Sequence, residues 1–74
     1  MERYVFDYRK LNGRIHEVFE SRKEFAKSMG ISETTISKKL SNKVYFTQKE
    51  IEKAADILGI NRGMITAYFF TLKL

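Results

Sequence analysis

Residues 21–43 read SRKEFAKSMGISETTISKKLSNK, and the fold turns on this stretch. Ser21 and Glu24 have the S-x-x-E spacing of a capping box, in which hydroxyl and carboxylate satisfy two free backbone donors reciprocally. Phe25, Ala26 and Met29 then form one apolar helix face. Gly30 fits the left-handed position that ends a helix. Ile31 is apolar and expected to be buried. Ser32 can cap a further helix from Glu33 to about Leu40, with Ile36 and Leu40 inward at i and i+4. Ser41-Asn42-Lys43 reads as helix exit and loop. Small, glycine, apolar and apolar residues stand at offsets 0, +4, +5 and +10 from Ala26. Two short helices that cross closely need those types there: a small residue at the crossing, a left-handed turn, and two anchors for the second helix. The stretch predicts a helix-turn-helix over about residues 21–41.

The flanks extend the helical pattern. On the N-terminal side, Leu11, Ile15, Val18 and Phe19 line one face of a helix running from about Asp7 to Phe19. Asp7 is placed to cap it. Gly13 inside this helix costs about 1 kcal/mol relative to alanine, and a close helix contact is the one reading that would explain it. On the C-terminal side, Thr47 and Glu50 repeat the capping-box spacing, and Ile51, Ala54, Ala55 and Leu58 form the next apolar face. Gly59 closes that helix, and Asn61 can cap a short fifth one near Arg62 to Tyr68. The ends differ: Phe70, Leu72 and Leu74 alternate with polar residues, and Tyr4-Val5-Phe6 is rich in strand formers. These segments would pair as a small antiparallel β-ribbon, or the tail would pair with a second subunit. The pattern as a whole predicts one all-α domain over residues 1–74 with five helices.

Composition limits what such a domain does. Seventy-four residues leave room for one small core. Hydrophobic residues make up 43% of them, too many for a disordered tail. There is no cysteine, so there is no disulfide framework and no thiolate metal site, and one histidine cannot supply a zinc site. His16 falls opposite the main apolar stripe of its helix and reads as a surface residue. Glu17, Glu20 and Glu24 read as solvated helix charges and a cap. No apolar run approaches a membrane span, and no charged-then-apolar leader opens the chain, so a cytoplasmic protein is expected. No nucleophile–base pair or metal cluster is visible, so neither an enzyme nor a bound cofactor is expected. The net charge is +5, from 14 lysines and arginines against 9 aspartates and glutamates. An excess of this size is commonly a solvated face, so it carries weight only together with the motif.

Phe25-Ala26, Gly30-Ile31, Ile36 and Leu40-Ser41-Asn42-Lys43 resemble the helix-turn-helix of the Cro and repressor-type phage regulators, the lambda-repressor-like family of five-helix domains. The helix pattern from Asp7 to Tyr68 covers that family's whole domain. There is one departure: Lys39 stands where many members carry an apolar residue, and the apolar residue here is Leu40. The resemblance implies a regulator of a lysis–lysogeny-like switch in a bacterial host, with its third helix (about 33–40) in the major groove of operator DNA. Glu33, Thr34, Ser37 and Lys38 point outward from that helix and would read bases: Lys38 on guanine, Thr34 and Ser37 on most edges, Glu33 on cytosine N4. Phosphates would be met by Ser21, Arg22 and Lys23 at the start of the second helix and by Lys43, Tyr45 and Gln48 beyond the third. A homodimer on two half-sites is the arrangement such proteins use.

A second reading keeps the fold and changes the partner. Some phage switch proteins of this type look like partners of the cognate repressor, binding its DNA-binding domain. Glu33 in the reading helix, the lack of Gln, Asn or Arg for bidentate readout, and the aromatic end Tyr68-Phe69-Phe70 favour it. The aromatics Tyr4, Phe6, Tyr8, Phe46, Tyr68, Phe69 and Phe70 can stack on single-stranded bases, but a small core formed by the two termini is the plainer use.

Overall fold

Five α-helices follow one another: α1 (Arg9–Phe19), α2 (Arg22–Met29), α3 (Glu33–Leu40), α4 (Gln48–Leu58) and, after a 3-10 turn at Arg62–Met64, α5 (Ile65–Phe69). The computed structural model describes residues 4–73. Among them no helix is long and apolar enough to cross a membrane.

Capping chemistry sets most of the boundaries. Ser32 accepts from the Thr35 N–H at 3.1 Å and starts α3. Thr47 and Glu50 form the complete reciprocal box at α4, at 3.1 and 2.9 Å. At α2 the Ser21 hydroxyl accepts from the Glu24 N–H at 3.3 Å, but only this half of the expected box forms among the described residues. Gly30 and Gly59 end α2 and α4 with φ of 76° and 67°, the left-handed region where a Cβ is strained.

α1 begins two residues later than the periodicity suggests. Tyr8 takes the cap position without a side-chain bond. The Asp7 carboxylate still serves the first turn, accepting from the Arg9 N–H at 3.0 Å and the Arg9 guanidinium at 2.7 Å. Those bonds hold the Asp7 carboxyl at about 2. Val18 lies outside the core, 41% exposed. α2 follows α1 on the Phe19 side, where the Phe19 and Phe25 rings meet at 5.7 Å, and this leaves the Val18 edge of the stripe to solvent. Gly13 makes no close helix contact: a Cβ there would meet nothing within 4 Å. Gly13→Ala is therefore expected to stabilise the domain by about 0.5–1 kcal/mol, read as a higher urea midpoint with an unchanged slope.

The core is built on α2, which packs against α1, α3 and α4. Leu11, Ile15, Phe25 and Ile36 are fully buried, and Ala26 and Leu58 nearly so. Ile31 is only partly buried, at the edge of this cluster. The fifth helix is shorter than expected because its start is a 3-10 turn, closed by the Met64 N–H on the Asn61 carbonyl at 3.0 Å.

The termini come together as one antiparallel bridge, Phe6 opposite Leu72, rather than a ribbon. Asp7 N–H donates to the Thr71 carbonyl at 2.7 Å and Lys73 N–H to the Val5 carbonyl at 2.8 Å. On the other edge of Phe6, the Asn42 side chain takes the place of a third strand. It accepts from Phe6 N–H at 2.8 Å and donates to Phe6 C=O at 2.9 Å. Leu74, part of the alternating tail, lies outside the described residues. The terminal aromatics do form a small core of their own. Phe46 meets Tyr8 and Phe69 edge-on at 5.7 and 5.4 Å, and Phe6 meets Tyr45 and Phe70 at 5.8 Å. Tyr68 stands apart, with the Lys10 ammonium 5.1 Å from its ring centre.

Candidate functional site

The α2–turn–α3 unit presents the residues singled out in the sequence. Two bonds close its turn: Gly30 N–H on the Lys27 carbonyl and Ile31 N–H on the Ala26 carbonyl, both at 3.1 Å. Ile36 and Leu40 are buried, which fixes the rotation of α3 about its axis. Glu33, Thr34 and Lys38 are consequently exposed, and Ser37 is half-buried. Glu33 and Ser37, and Thr34 and Lys38, lie at i and i+4, so the four residues make two adjacent rows on one helix face.

Lys39, the departure from the resembled pattern, is the one buried charged residue among the described residues. It is 4% exposed. Its ammonium pairs with Glu50 at 2.8 Å, donates to the Tyr45 carbonyl at 3.1 Å and lies 5.9 Å from the Phe46 ring centre. One side chain thus ties the end of α3 to the loop and to the cap of α4, and so fixes where Lys43, Tyr45 and Gln48 stand relative to α3. Burial pushes the Glu50 carboxyl up, but the hydrogen bonds from Lys39 and Thr47 outweigh it and hold the group below its ordinary value. Ser41 Oγ and the N–H groups of Lys43 and Val44 all turn back to the Lys38 carbonyl, at 3.2, 2.9 and 3.4 Å, and shape the loop exit.

The six residues assigned to phosphates divide into two groups. Lys23, Lys43 and Gln48 are exposed, and their side chains make no hydrogen bond or ion pair among the described residues. The other three have internal roles. The Ser21 hydroxyl accepts from Glu24, the Arg22 guanidinium donates to the Asn12 side chain at 3.2 Å, and the Tyr45 hydroxyl donates to the Tyr4 carbonyl at 3.0 Å. Arg22 is half-buried and bound to α1.

The charges on this side are unbalanced. Lys23, Lys27, Lys38, Lys43 and Lys49 are exposed and have no ion-pair partner among the described residues, and neither has Glu33. The face can therefore engage a partner of mixed charge as well as a polyanion. His16 is exposed with its Nδ1 3.0 Å from the Glu20 carbonyl. No group of three or more metal-ligating side chains occurs among the described residues. Sequence reading missed the roles of Lys39 and Asn42. A lysine at an apolar position with a glutamate in the next helix cap is a signal for the first, and nothing local marks the second.

A family model described as "protein of unknown function (DUF739)" matches residues 4–72. A solved structure of similar fold is the solution structure of the modulator of repression of the temperate bacteriophage TP901-1 from Lactococcus lactis. It is 43% identical, covers 88% of each chain and has a TM-score of 0.79. Among curated proteins, none matches the chain.

Proposed function

The chain belongs to the DUF739 family, and from that premise we propose that it is a phage-type modulator of repression that binds the DNA-binding domain of a cognate repressor. The supporting observation is the 43% identity, over 88% of both chains, to a protein titled as a modulator of repression. The surface chemistry agrees with it. A repressor must be basic where it meets phosphates. A partner seated there needs a carboxylate, and α3 offers an exposed, unpaired one at Glu33. The short polar side chains of Thr34 and Ser37 leave room for the repressor's own reading helix. Docked on that surface, the protein competes with operator DNA and relieves repression, in the cytoplasm of the bacterial host and without catalysis or a cofactor. Co-purification of the chain with the repressor encoded beside it tests this. A stable equimolar complex is expected, and two separate proteins at micromolar concentration would count against it.

Direct operator binding is the second reading, and the unpaired lysines around α3 favour it. Under it, Glu33, Thr34, Ser37 and Lys38 read bases, Ser21, Arg22, Lys23, Lys43, Tyr45 and Gln48 hold phosphates, and a homodimer spans two half-sites. Lys38→Ala would then weaken specific DNA binding by about 1–3 kcal/mol. On the repressor-binding reading, that variant leaves a weak, salt-sensitive affinity for any DNA almost unchanged.

A further inference from the structure

The two edges of the terminal bridge are finished differently. Phe6 N–H and C=O are both bonded by the Asn42 side chain, so that edge is closed. The opposite edge belongs to Leu72. The bonds that make the bridge run from Asp7 N–H to the Thr71 carbonyl and from Lys73 N–H to the Val5 carbonyl. They flank Phe6 and Leu72 and make them a non-hydrogen-bonded pair of an antiparallel ladder, in which each residue turns its own N–H and C=O away from the other. Leu72 accordingly directs one donor and one acceptor outward. Neither has a hydrogen-bond partner among the described residues, and Leu72 is 50% exposed. The space beside it is open: a recess of about 560 Å³ is lined by Asp7, Arg9, Thr71, Leu72 and Lys73. Folded proteins ordinarily blunt an open edge of this kind, and this chain closes only the Phe6 one.

The Leu72 edge fits a copy of itself. Joined at Leu72 about a two-fold axis, two antiparallel copies make Leu72 a hydrogen-bonded pair. Each N–H donates to the other's C=O, so both open groups of each copy are satisfied. The charges agree with this register. It sets Lys73 opposite Thr71 of the second copy, in the row that continues to Asp7. The ammonium thus meets a hydroxyl and then a carboxylate, not another ammonium. The apolar side agrees as well. Leu72 shares the face of Phe6, its cross-strand neighbour, and the Phe6 ring meets that of Phe70, which is 46% exposed. A two-fold axis perpendicular to the ribbon keeps like faces together, so the Leu72 side chains of the two copies meet on this apolar side.

We propose that the Leu72 edge is a homodimer contact, in which two copies pair Leu72 with Leu72 and extend the terminal bridge into a longer antiparallel ribbon. The contact is short, so the dimer is weak and reversible. It does not depend on whether α3 meets a repressor or DNA.

Sedimentation equilibrium of the full chain tests the contact, with Leu72→Pro beside the unaltered protein. Proline removes the outward N–H and spares the internal bonds, which use Thr71 C=O and Lys73 N–H. The mass of the unaltered protein is expected to rise from 8.7 kDa toward twice that value between about 10 µM and about 1 mM. Leu72→Pro is expected to stay monomeric with an unchanged melt. A monomer throughout, or a Leu72→Pro variant that associates as the unaltered protein does, would overturn the proposal. Amide exchange decides the matter without a substitution. The Leu72 N–H is expected to exchange at least about threefold more slowly at the high concentration than at the low one. The Asp7 and Lys73 amides, bonded within one chain, should be protected at both. Equal exchange of Leu72 at both concentrations would overturn the proposal. So would slowing seen only when the repressor encoded beside the chain is added, which gives the edge to a strand of that partner.

Discussion

Replacing Glu50 by alanine is expected to destabilise the domain by about 3–5 kcal/mol, because it strands the Lys39 ammonium in the core. Lys39 is 4% exposed, and its bond to Glu50 is 2.8 Å long. The Tyr45 carbonyl alone cannot compensate a buried charge. The substitution also removes half of the α4 capping box, about 1 kcal/mol more. A domain of this size holds only about 4–11 kcal/mol in total, so the variant will be close to unfolding at room temperature. Lys39→Met should cost less than Glu50→Ala, since the stem is retained against Phe46 and the Glu50 carboxylate left behind is only partly buried and keeps its bond from the Thr47 N–H. The double variant Lys39→Met with Glu50→Ala is expected to recover most of the loss in urea unfolding. If it stays as unstable as Glu50→Ala alone, the cost lies in the cap and not in the stranded ammonium. Acid acts on the same pair. Glu50 titrates below its ordinary value in the folded chain, so its contribution is complete above the unfolded value and is lost as pH falls through the folded one. Asp7, half-buried and held at about 2 by Arg9, follows the same direction.

Much of this was legible in the sequence, for local reasons. The helix starts at Ser32 and Thr47 and the ends at Gly30 and Gly59 depend on residues within one turn, and they stand where the spacing placed them. The exposure of Glu33, Thr34 and Lys38 follows from Ile36 and Leu40 by helical period alone. What failed depended on distant partners. Lys39 is tolerable inside only because Glu50, in another helix, comes to meet it. The terminal ribbon is a single bridge, Phe6 with Leu72, and the other edge of Phe6 is bonded by Asn42, 36 residues away, a contact no local pattern announces. Val18 is exposed because α2 turns to the opposite side of the α1 stripe. The partner was the least legible feature. A polar, exposed helix face serves a DNA groove and a protein surface alike, and periodicity does not distinguish them.

Glu33→Lys is expected to abolish the complex with the repressor. Reversing this charge against a basic surface removes an attraction and adds a repulsion. The loss should be at least about 2–5 kcal/mol, or roughly thirtyfold to several thousandfold in Kd. The fold should survive, since Glu33 is exposed and has no ion pair among the described residues. Its role near the α3 N-terminus contributes about 0.3–1 kcal/mol, which a thermal melt will register as a small shift. A charge swap gives the stricter version. A repressor variant that turns one basic residue of its reading helix into glutamate should bind Glu33→Lys better than it binds the unaltered chain. Equal affinity of the natural repressor for the unaltered chain and for Glu33→Lys would place the interface elsewhere.

On the repressor-binding reading, this chain works on a repressor and not directly on an operator. Fluorescence anisotropy of a labelled promoter fragment tests it in one cuvette, first with this protein alone and then with the repressor bound. Alone, the protein should bind weakly, equally to random DNA and with strong salt dependence. Added to the repressor–operator complex, it should release the DNA at near-equimolar amounts. Tight binding of the protein alone, with a preference for its own promoter above about 10³ and no effect on the bound repressor, would contradict the claim and return α3 to the major groove.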